Sequence, residues 1–407
     1  MMPLEGYRLL DLSRLQPGPA GTHMLADMGM EIVKVEEPEP RGGIARDVLS
    51  PVLPTPETEV QFAAYNTLAR NKKSIAINLR SDEGREALYR LAKTADAFIE
   101  GYRPGVIKRL GCDYETLAKI NPRIVYCSLS GYGQDGPWAR MPGHDINYCA
   151  VAGEVALQRD EQGNPVYNGI PMADMAGGLH AALGILAALM AREKTGRGQF
   201  IDVTLAHSVM PWMTLATSYY FRDGNWPYSS GMRGHFGVVK CKDGRFLSII
   251  TEGEVQFWRN FCNGIGRPDF VPLHRRALEN PAEYEEMVRE IKAIMLTKTR
   301  DEWFEQLSKA ECCIAPVLEL GELYDHPVHK HRGMFLELDH PTMGKVRQLG
   351  SPIKFSDTPF EFRSFAPVLG EHTRELLREA GYPPQEVEHL IESGAVKAWG
   401  GRTTKVP

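Results

Sequence analysis

Short apolar runs alternate with amphipathic stretches along the first 200 residues. "YRLLDLS" and "EIVKVEEP" read as strands, and "GPAGTHMLADMG" between them reads as a helix. Together they predict a β-α-β unit, in which a parallel neighbour is reached through a crossover helix. The pattern repeats with "KSIAINL", "DAFIEGY" and "RIVYCSLSGYG" as strands, separated by the helical "DEGREALYRLAKTA" and "YETLAKIN". The expected architecture is therefore α/β with a doubly wound parallel sheet. In such sheets ligands sit beyond the carboxyl ends of the strands, which directs attention to the loops beginning at Leu15, Glu36, Gly101 and Gly131.

The later pattern differs. A long apolar helix starts near Asp174, "GQFIDVTL" gives another strand, and residues 206–225 read as a connector into the turn-rich "RDGNWPYSSGMRGHFG". "FGVVKCKDGRFLSIIT" predicts a hairpin turning at Asp243-Gly244, and charged helices follow, giving a smaller α+β unit. Beyond it come "IAPVLEL", a hairpin-like "MFLELDHPTMGKVRQLG" and the helix "GEHTRELLREAG". The expected boundaries are a large domain over 1–205, a connector 206–225, a small domain 226–320, a second connector 321–335, and a C-terminal part, 336–407, that completes the large domain.

Composition narrows the function classes. The 407 residues are 43% hydrophobic and 24% charged with a net charge of −5, an ordinary globular balance without a general nucleic-acid or anionic-membrane footprint. The seven cysteines are scattered, with no C-x-x-C pair, so neither a disulfide framework nor a zinc site is expected, and a reducing cytoplasm is the expected location. "MMPLEGYRLLDLSRL" lacks the charged-then-apolar order of a signal peptide. "ADMAGGLHAALGILAALMA" (173–191) is long enough for a membrane span, but Asp174 and His180 in its first turns favour a buried helix.

Three groups of residues could carry chemistry. "SRLQPGPAGTHML" contains neither G-x-G-x-x-G nor G-x-x-x-x-G-K-[ST], which excludes the usual dinucleotide and triphosphate loops. Its Gln-Pro-Gly-Pro turn either presents N–H groups at a helix start to a carboxylate or thioester oxygen, or simply joins strand to helix. Two basic clusters, Arg70, Lys72 and Lys73 in one and Arg103, Lys108 and Arg109 in the other, are either solvated surface or a polyphosphate cradle. His144 in "MPGHDINYCAVAGE" and Asp174 form a candidate pair for proton transfer. Alternatively Asp174 caps its helix, although the following Gly177-Gly178 makes more sense where a backbone or ligand approaches closely.

Taken together, "GHDINY", "ADMAGG", "REKTGRGQFIDV" and "GYRPGVIKRLG" resemble the class III CoA-transferase family, which includes the α-methylacyl-CoA racemases. The similarity extends from "LDLSRLQPGPAGTHMLADMG" to "APVLELGELYDHPVHKHRGMF". The resemblance implies a Rossmann-like large domain built from both termini, a smaller α+β domain, and an interlocked homodimer. It implies acyl-CoA and a carboxylic acid as partners, with coenzyme A as substrate and carrier, and neither metal nor organic cofactor. Lys72, Lys73, Arg103 and Arg109 would then meet the CoA phosphates, with Gly101, Tyr102 and Asp145 in the same CoA-contacting set. Arg41 is the nearest candidate for an Arg that some members place after "VKVE".

The resemblance leaves two chemistries. In the transferases the Asp at position 174 attacks an acyl-CoA and becomes an aspartyl-CoA thioester, and Gln16 in "RLQPGP" resembles a Gln beside that Asp. In the racemases the same Asp and His144 exchange an α-proton, and Glu254 in "EGEVQFW" resembles their "EPQF". Transfer is the expected activity, racemisation the alternative, and a catalytically silent CoA-thioester-binding subunit the third reading.

Overall fold

The computed structural model describes residues 1–39, 59–160, 162–224, 237–251, 254–275 and 280–401. Arg41 and the turn-rich 225–236 lie outside the described residues. The chain divides into two compact units, one of residues 1–155, 167–218 and 333–407, the other of residues 156–166 and 219–332.

The first unit is organised by a seven-stranded sheet. Its strands are β1 (Arg8–Leu12), β2 (Glu31–Glu36), β3 (Lys72–Ile77), β4 (Ala97–Glu100), β5 (Val125–Ser130), β6 (Phe200–Thr204) and a short C-terminal strand, Val396–Lys397. The order is C-terminal strand, β3, β2, β1, β4, β5, β6, all parallel except the antiparallel C-terminal strand. The direction of strand order reverses between β1 and β4, where the loops after these two strands part and open a crevice.

Alternate residues of one strand face opposite helical layers. Leu10, Val33, Ile75, Ile77 and Phe98 enter a core with Leu88 and Leu91 of the helix Asp82–Ala92 and with Leu376 and Val387 from the C-terminal helices. The other face is covered by α1 (Pro17–Asp27) and by α5 (Met172–Thr195), the two separated in sequence by further helices including α4 (Asp145–Ala152). α5 is the one described helix long and apolar enough to cross a membrane. Half of its apolar stretch is buried, and Arg192 near its end is 4% exposed and ion-paired with Asp96 at 2.8 Å.

α1 and α5 cross at glycines. A Cβ on Gly21 would lie 2.4 Å from the Gly178 carbonyl oxygen, and one on Gly178 would lie 2.4 Å from the Pro17 carbonyl oxygen. The close backbone approach expected of the Gly177-Gly178 pair is thus a helix crossing at Gly178.

The second unit contains a three-stranded antiparallel sheet of Gly237–Lys240, Phe246–Ile249 and Ile314–Pro316. The hairpin turns at Asp243-Gly244, where Gly244 has φ +78°. Trp258, Phe261, Met287, Ile291, Trp303 and Leu307 fill its core.

The two stretches expected as connectors group with the units themselves. Residues 206–218 form helical elements of the first unit rather than a linker, with Ala206 and Val209 buried, and 321–332 belong to the second unit, where Glu322 receives both ends of the Arg300 guanidinium at 2.8 and 2.9 Å. Residues 156–166, read as part of the large domain, group with the second unit and are pinched by an Arg159–Pro165 bridge.

Candidate active site

Asp174 lies in the first turn of α5 and is half-buried. It does not cap that helix. The N-cap position is Pro171, and the orphan N–H of Asp174 is taken by Asp145 Oδ1 at 2.8 Å. Asp145, 8% exposed at the start of α4, also accepts from the Tyr167 hydroxyl at 2.7 Å and from the Cys149 thiol at 3.4 Å. Its engaged oxygens place a second carboxylate beside Asp174. Burial first, and the Asp145 charge second, push the Asp174 carboxyl up to about 7. Asp145, expected among the CoA contacts, accepts the backbone N–H of Asp174 and is its charged neighbour.

Gln16 is at the N-cap of α1 in helical conformation, after Leu15, which sits in the left-handed region at φ +60°. Left-handed backbone is costly for a Leu and persists where the surroundings impose it. Gln16 Nε2 reaches the sulfur of Met175, next to Asp174, at 3.6 Å. The glycine crossing of α1 and α5 brings Gln16 to the first turn of α5. The Gln-Pro-Gly-Pro turn presents fewer donors than its position promises, because Pro17 and Pro19 lack N–H groups and only Gly18 keeps one among the first three helical residues.

His144 is the exposed N-cap residue of α4, and its N–H donates to Asn147 Oδ1 at 2.9 Å. Tyr148, one turn on, donates to Gly143 O at 2.6 Å and packs edge-on against Tyr132 at 5.2 Å, which fixes the loop preceding His144. Glu254 belongs to the second unit, where it is the exposed N-cap residue of the helix Val255–Gly264.

A cavity of about 620 Å³ opens at the carboxyl ends of β1, β2 and β3, lined among others by Arg14, Lys34, Arg80, Tyr102 and Lys397. Arg14 donates to Glu37 Oε1 at 2.9 Å and to the Tyr102 hydroxyl at 3.1 Å. Arg80 approaches the same Glu37 oxygen at 3.9 Å, and Lys397 Nζ donates to Pro38 O at 3.4 Å. Gly101, Tyr102 and Arg103 form the loop after β4, and Arg109 is exposed at the end of the short helix Val106–Arg109, entered through Gly105 at φ +84°.

The first basic cluster lies away from that cavity. Arg70 is 1% exposed and gives two hydrogen bonds to Asp27, at 3.1 and 2.6 Å. Lys72 is 2% exposed, donates to Pro19 O at 3.1 Å and Thr22 Oγ1 at 2.8 Å, and lies 3.6 Å from Asp11. Lys73 pairs with Glu31 at 2.7 Å and Glu375 at 2.9 Å. Lys72 and Lys73 open β3, at the amino end of the sheet, so neither lines the cavity at the carboxyl ends.

Sequence reading missed Arg14, Lys34, Arg80, Lys397 and Tyr167. Arg80 had a signal, because it follows β3 at its carboxyl end in "INLRSDEG" and the strand-end rule applies to that loop as well. Lys397 had none, since a two-residue antiparallel strand leaves no periodicity.

The family model for CoA-transferase family III matches residues 4–373. Succinyl-CoA:glutarate CoA-transferase of Mus musculus is 32% identical over 404 residues, covering 98% of this chain and 91% of that protein. Formyl-CoA:oxalate CoA-transferase of Rhodopseudomonas palustris (strain TIE-1) is 31% identical, covering 96% and 97%. The crystal structure of a CaiB/BaiF family protein from Brucella suis superposes with a TM-score of 0.78 at 29% identity, covering 93% and 99%. On the strength of this full-length match, the chain belongs to the class III CoA-transferase family and is an enzyme of that family.

Proposed function

We propose that the enzyme moves CoA from an acyl-CoA donor to a carboxylic acid acceptor through an aspartyl-CoA thioester on Asp174. The observation that carries this reading is the half-buried Asp174 carboxyl, stationed by Asp145 in the first turn of α5 with Gln16 close by. Desolvation strips water from a carboxylate and leaves a better nucleophile once ionised. Attack on the donor carbonyl forms a mixed anhydride and releases CoA thiolate. The thiolate then attacks the aspartyl carbonyl, giving the aspartyl-CoA thioester and the free donor acid. The acceptor carboxylate reverses the sequence and leaves with CoA, restoring Asp174. No electron is gained or lost, so no redox cofactor is required.

The lining of the cavity with Arg14, Arg80 and Lys397 supports it as the berth for the phosphate-bearing end of CoA, with Tyr102 and Arg103 on the adjoining loop and Arg109 on the short helix that follows. A homodimer is part of the same reading. Leu179, Leu183 and Met190 leave an apolar stripe on α5, 42%, 59% and 71% exposed, which a second subunit would cover.

The test is chemical trapping. Incubation with an acyl-CoA and hydroxylamine yields an aspartyl hydroxamate at Asp174, and transfer depends on an acceptor acid. Deuterium entering the α-position of a 2-methylacyl-CoA from D2O, with no acceptor and no adduct, would instead establish proton exchange between His144 and Asp174.

A further inference from the structure

Glu100 ends β4 with its carboxyl 1% exposed, and the transfer chemistry has no use for it. A buried acid needs partners for its oxygens, and those of Glu100 come from two loops. Oε2 accepts the Tyr102 N–H at 2.8 Å, and Oε1 accepts the hydroxyl of Ser128, itself 1% exposed on β5. Ser128 Oγ in turn accepts Gln134 Nε2 at 2.7 Å, while the Gln134 N–H donates to Asp202 Oδ2 on β6 at 3.1 Å. One carboxyl is thus tied to the loop that carries Tyr102 and Arg103 and, through Ser128, to the loop "GYGQDG" after β5.

That second loop leads to the reacting end of the site. Gly131 lies so close to Tyr148 that a Cβ there would come within 2.5 Å of its ring, and Tyr132 packs edge-on against the same ring. Tyr148 holds the Gly143 carbonyl oxygen, immediately before His144. On the first side, the Tyr102 hydroxyl accepts from Arg14 in the strand-end cavity.

We propose that Glu100 is a positioning residue for the transfer reaction, fixing the loop at the CoA cavity and the loop before His144 in one register across the ends of β4, β5 and β6. The inference rests on the CoA reading of the cavity. Its physical content is preorganisation: two loops that grip separate parts of one substrate catalyse only when their spacing is set before binding. Burial pushes the Glu100 carboxyl up to about 7, so its neutral form is well populated, and a glutamine imitates that form. A glutamine here keeps a carbonyl for the Tyr102 N–H and offers an amide N–H to Ser128 Oγ, which has two lone pairs for two donors.

The experiment is steady-state kinetics and CoA calorimetry on the wild type, Glu100→Ala, Glu100→Gln, Gln134→Ala and the double alanine variant. Wild-type protein that gives no heat with CoA would overturn the reading of the cavity, whatever the variants do. With CoA binding in hand, Glu100→Ala is expected to raise KM for the acyl-CoA about tenfold and lower kcat about fivefold. Glu100→Gln returns both to within about threefold of wild type, because the ties are kept. Gln134→Ala lowers kcat alone, and the double variant matches Glu100→Ala, since a network cut once is not cut again. A folded Glu100→Ala with unchanged KM, a Glu100→Gln as impaired as the alanine, or additive losses in the double variant would each reduce Glu100 to a structural acid and overturn the proposal. Should Glu100→Ala not fold, Gln134→Ala decides: an unchanged kcat overturns the positioning role.

Discussion

Replacing Asp145 by Asn removes one negative charge beside Asp174 and keeps most of the local shape. The Asn carbonyl still accepts the Asp174 N–H, and its amide can donate to the Tyr167 hydroxyl, which then turns its own proton elsewhere. Asp174 stands at about 7 against an ordinary 3.8, a rise of about three pH units in which burial is the larger cause and the Asp145 charge the smaller. A like charge beside a partly solvated carboxylate is worth on the order of 1.4 kcal/mol, which is about one pH unit. The variant therefore brings Asp174 down to about 6, the remaining elevation being due to burial. Transfer needs the ionised carboxylate, so the acidic limb of the pH–kcat/KM profile shifts about one unit to lower pH. At pH 6 the ionised fraction rises from about one tenth to about one half, and activity relative to each enzyme's plateau rises about fivefold. The assay is acyl-CoA-dependent transfer measured from pH 5 to 8.5 with an acceptor acid titrating well below that range. An acidic limb that stays in place, or moves upward, would refute the electrostatic coupling of the two carboxylates.

Asp174→Asn abolishes transfer and stabilises the fold in a pH-dependent way. The folded state keeps a proton on Asp174 that the unfolded chain has lost between about pH 4 and 7, so wild-type stability falls as pH rises through that window. The Asn variant escapes this, and its gain over wild type grows to about 2 kcal/mol by pH 7.5, the half-open site screening the rest; denaturant melts at pH 4 and 7.5 check it. Gly178→Ala forces α1 and α5 apart at the 2.4 Å approach to the Pro17 carbonyl oxygen and costs about 1–3 kcal/mol in urea unfolding, with a fall in kcat as Gln16 leaves its place. Lys73→Ala, which cuts pairs with Glu31 and Glu375 at the amino end of the sheet, leaves KM for acyl-CoA unchanged, whereas Arg80→Ala in the strand-end cavity raises it about tenfold. Equal effects of those two substitutions in a KM measurement would contradict the placement of CoA.

The sequence by itself made the strands of the parallel sheet legible, because a strand covered on both faces carries mostly apolar residues, and "YRLLDLS", "EIVKVEEP" and "RIVYCSLS" are apolar runs broken by single polar residues such as Asp11 and Lys34, which the fold buries 3.8 Å apart. It also singled out Asp174 and Gln16 as candidates through a family resemblance carried by side-chain type, and it flagged Gly178 because two adjacent glycines in an apolar helix have no local reason. What it left undecided depends on which end of a strand a side chain occupies and on what faces it from far along the chain. Lys72 and Arg103 look alike as letters, yet one opens a strand beneath α1, with Asp11 3.6 Å away, and the other follows a strand into the crevice loop. Asp145 lies 29 residues from Asp174, and only the packing of α4 on α5 makes it that residue's hydrogen-bond partner and charge neighbour. Lys397 reaches the cavity through a two-residue strand added to the sheet edge more than 300 residues after β3. Apolar periodicity is a property of local chain geometry and survives in one dimension; electrostatic environment is a sum over neighbours in three, and only the folded chain sets it.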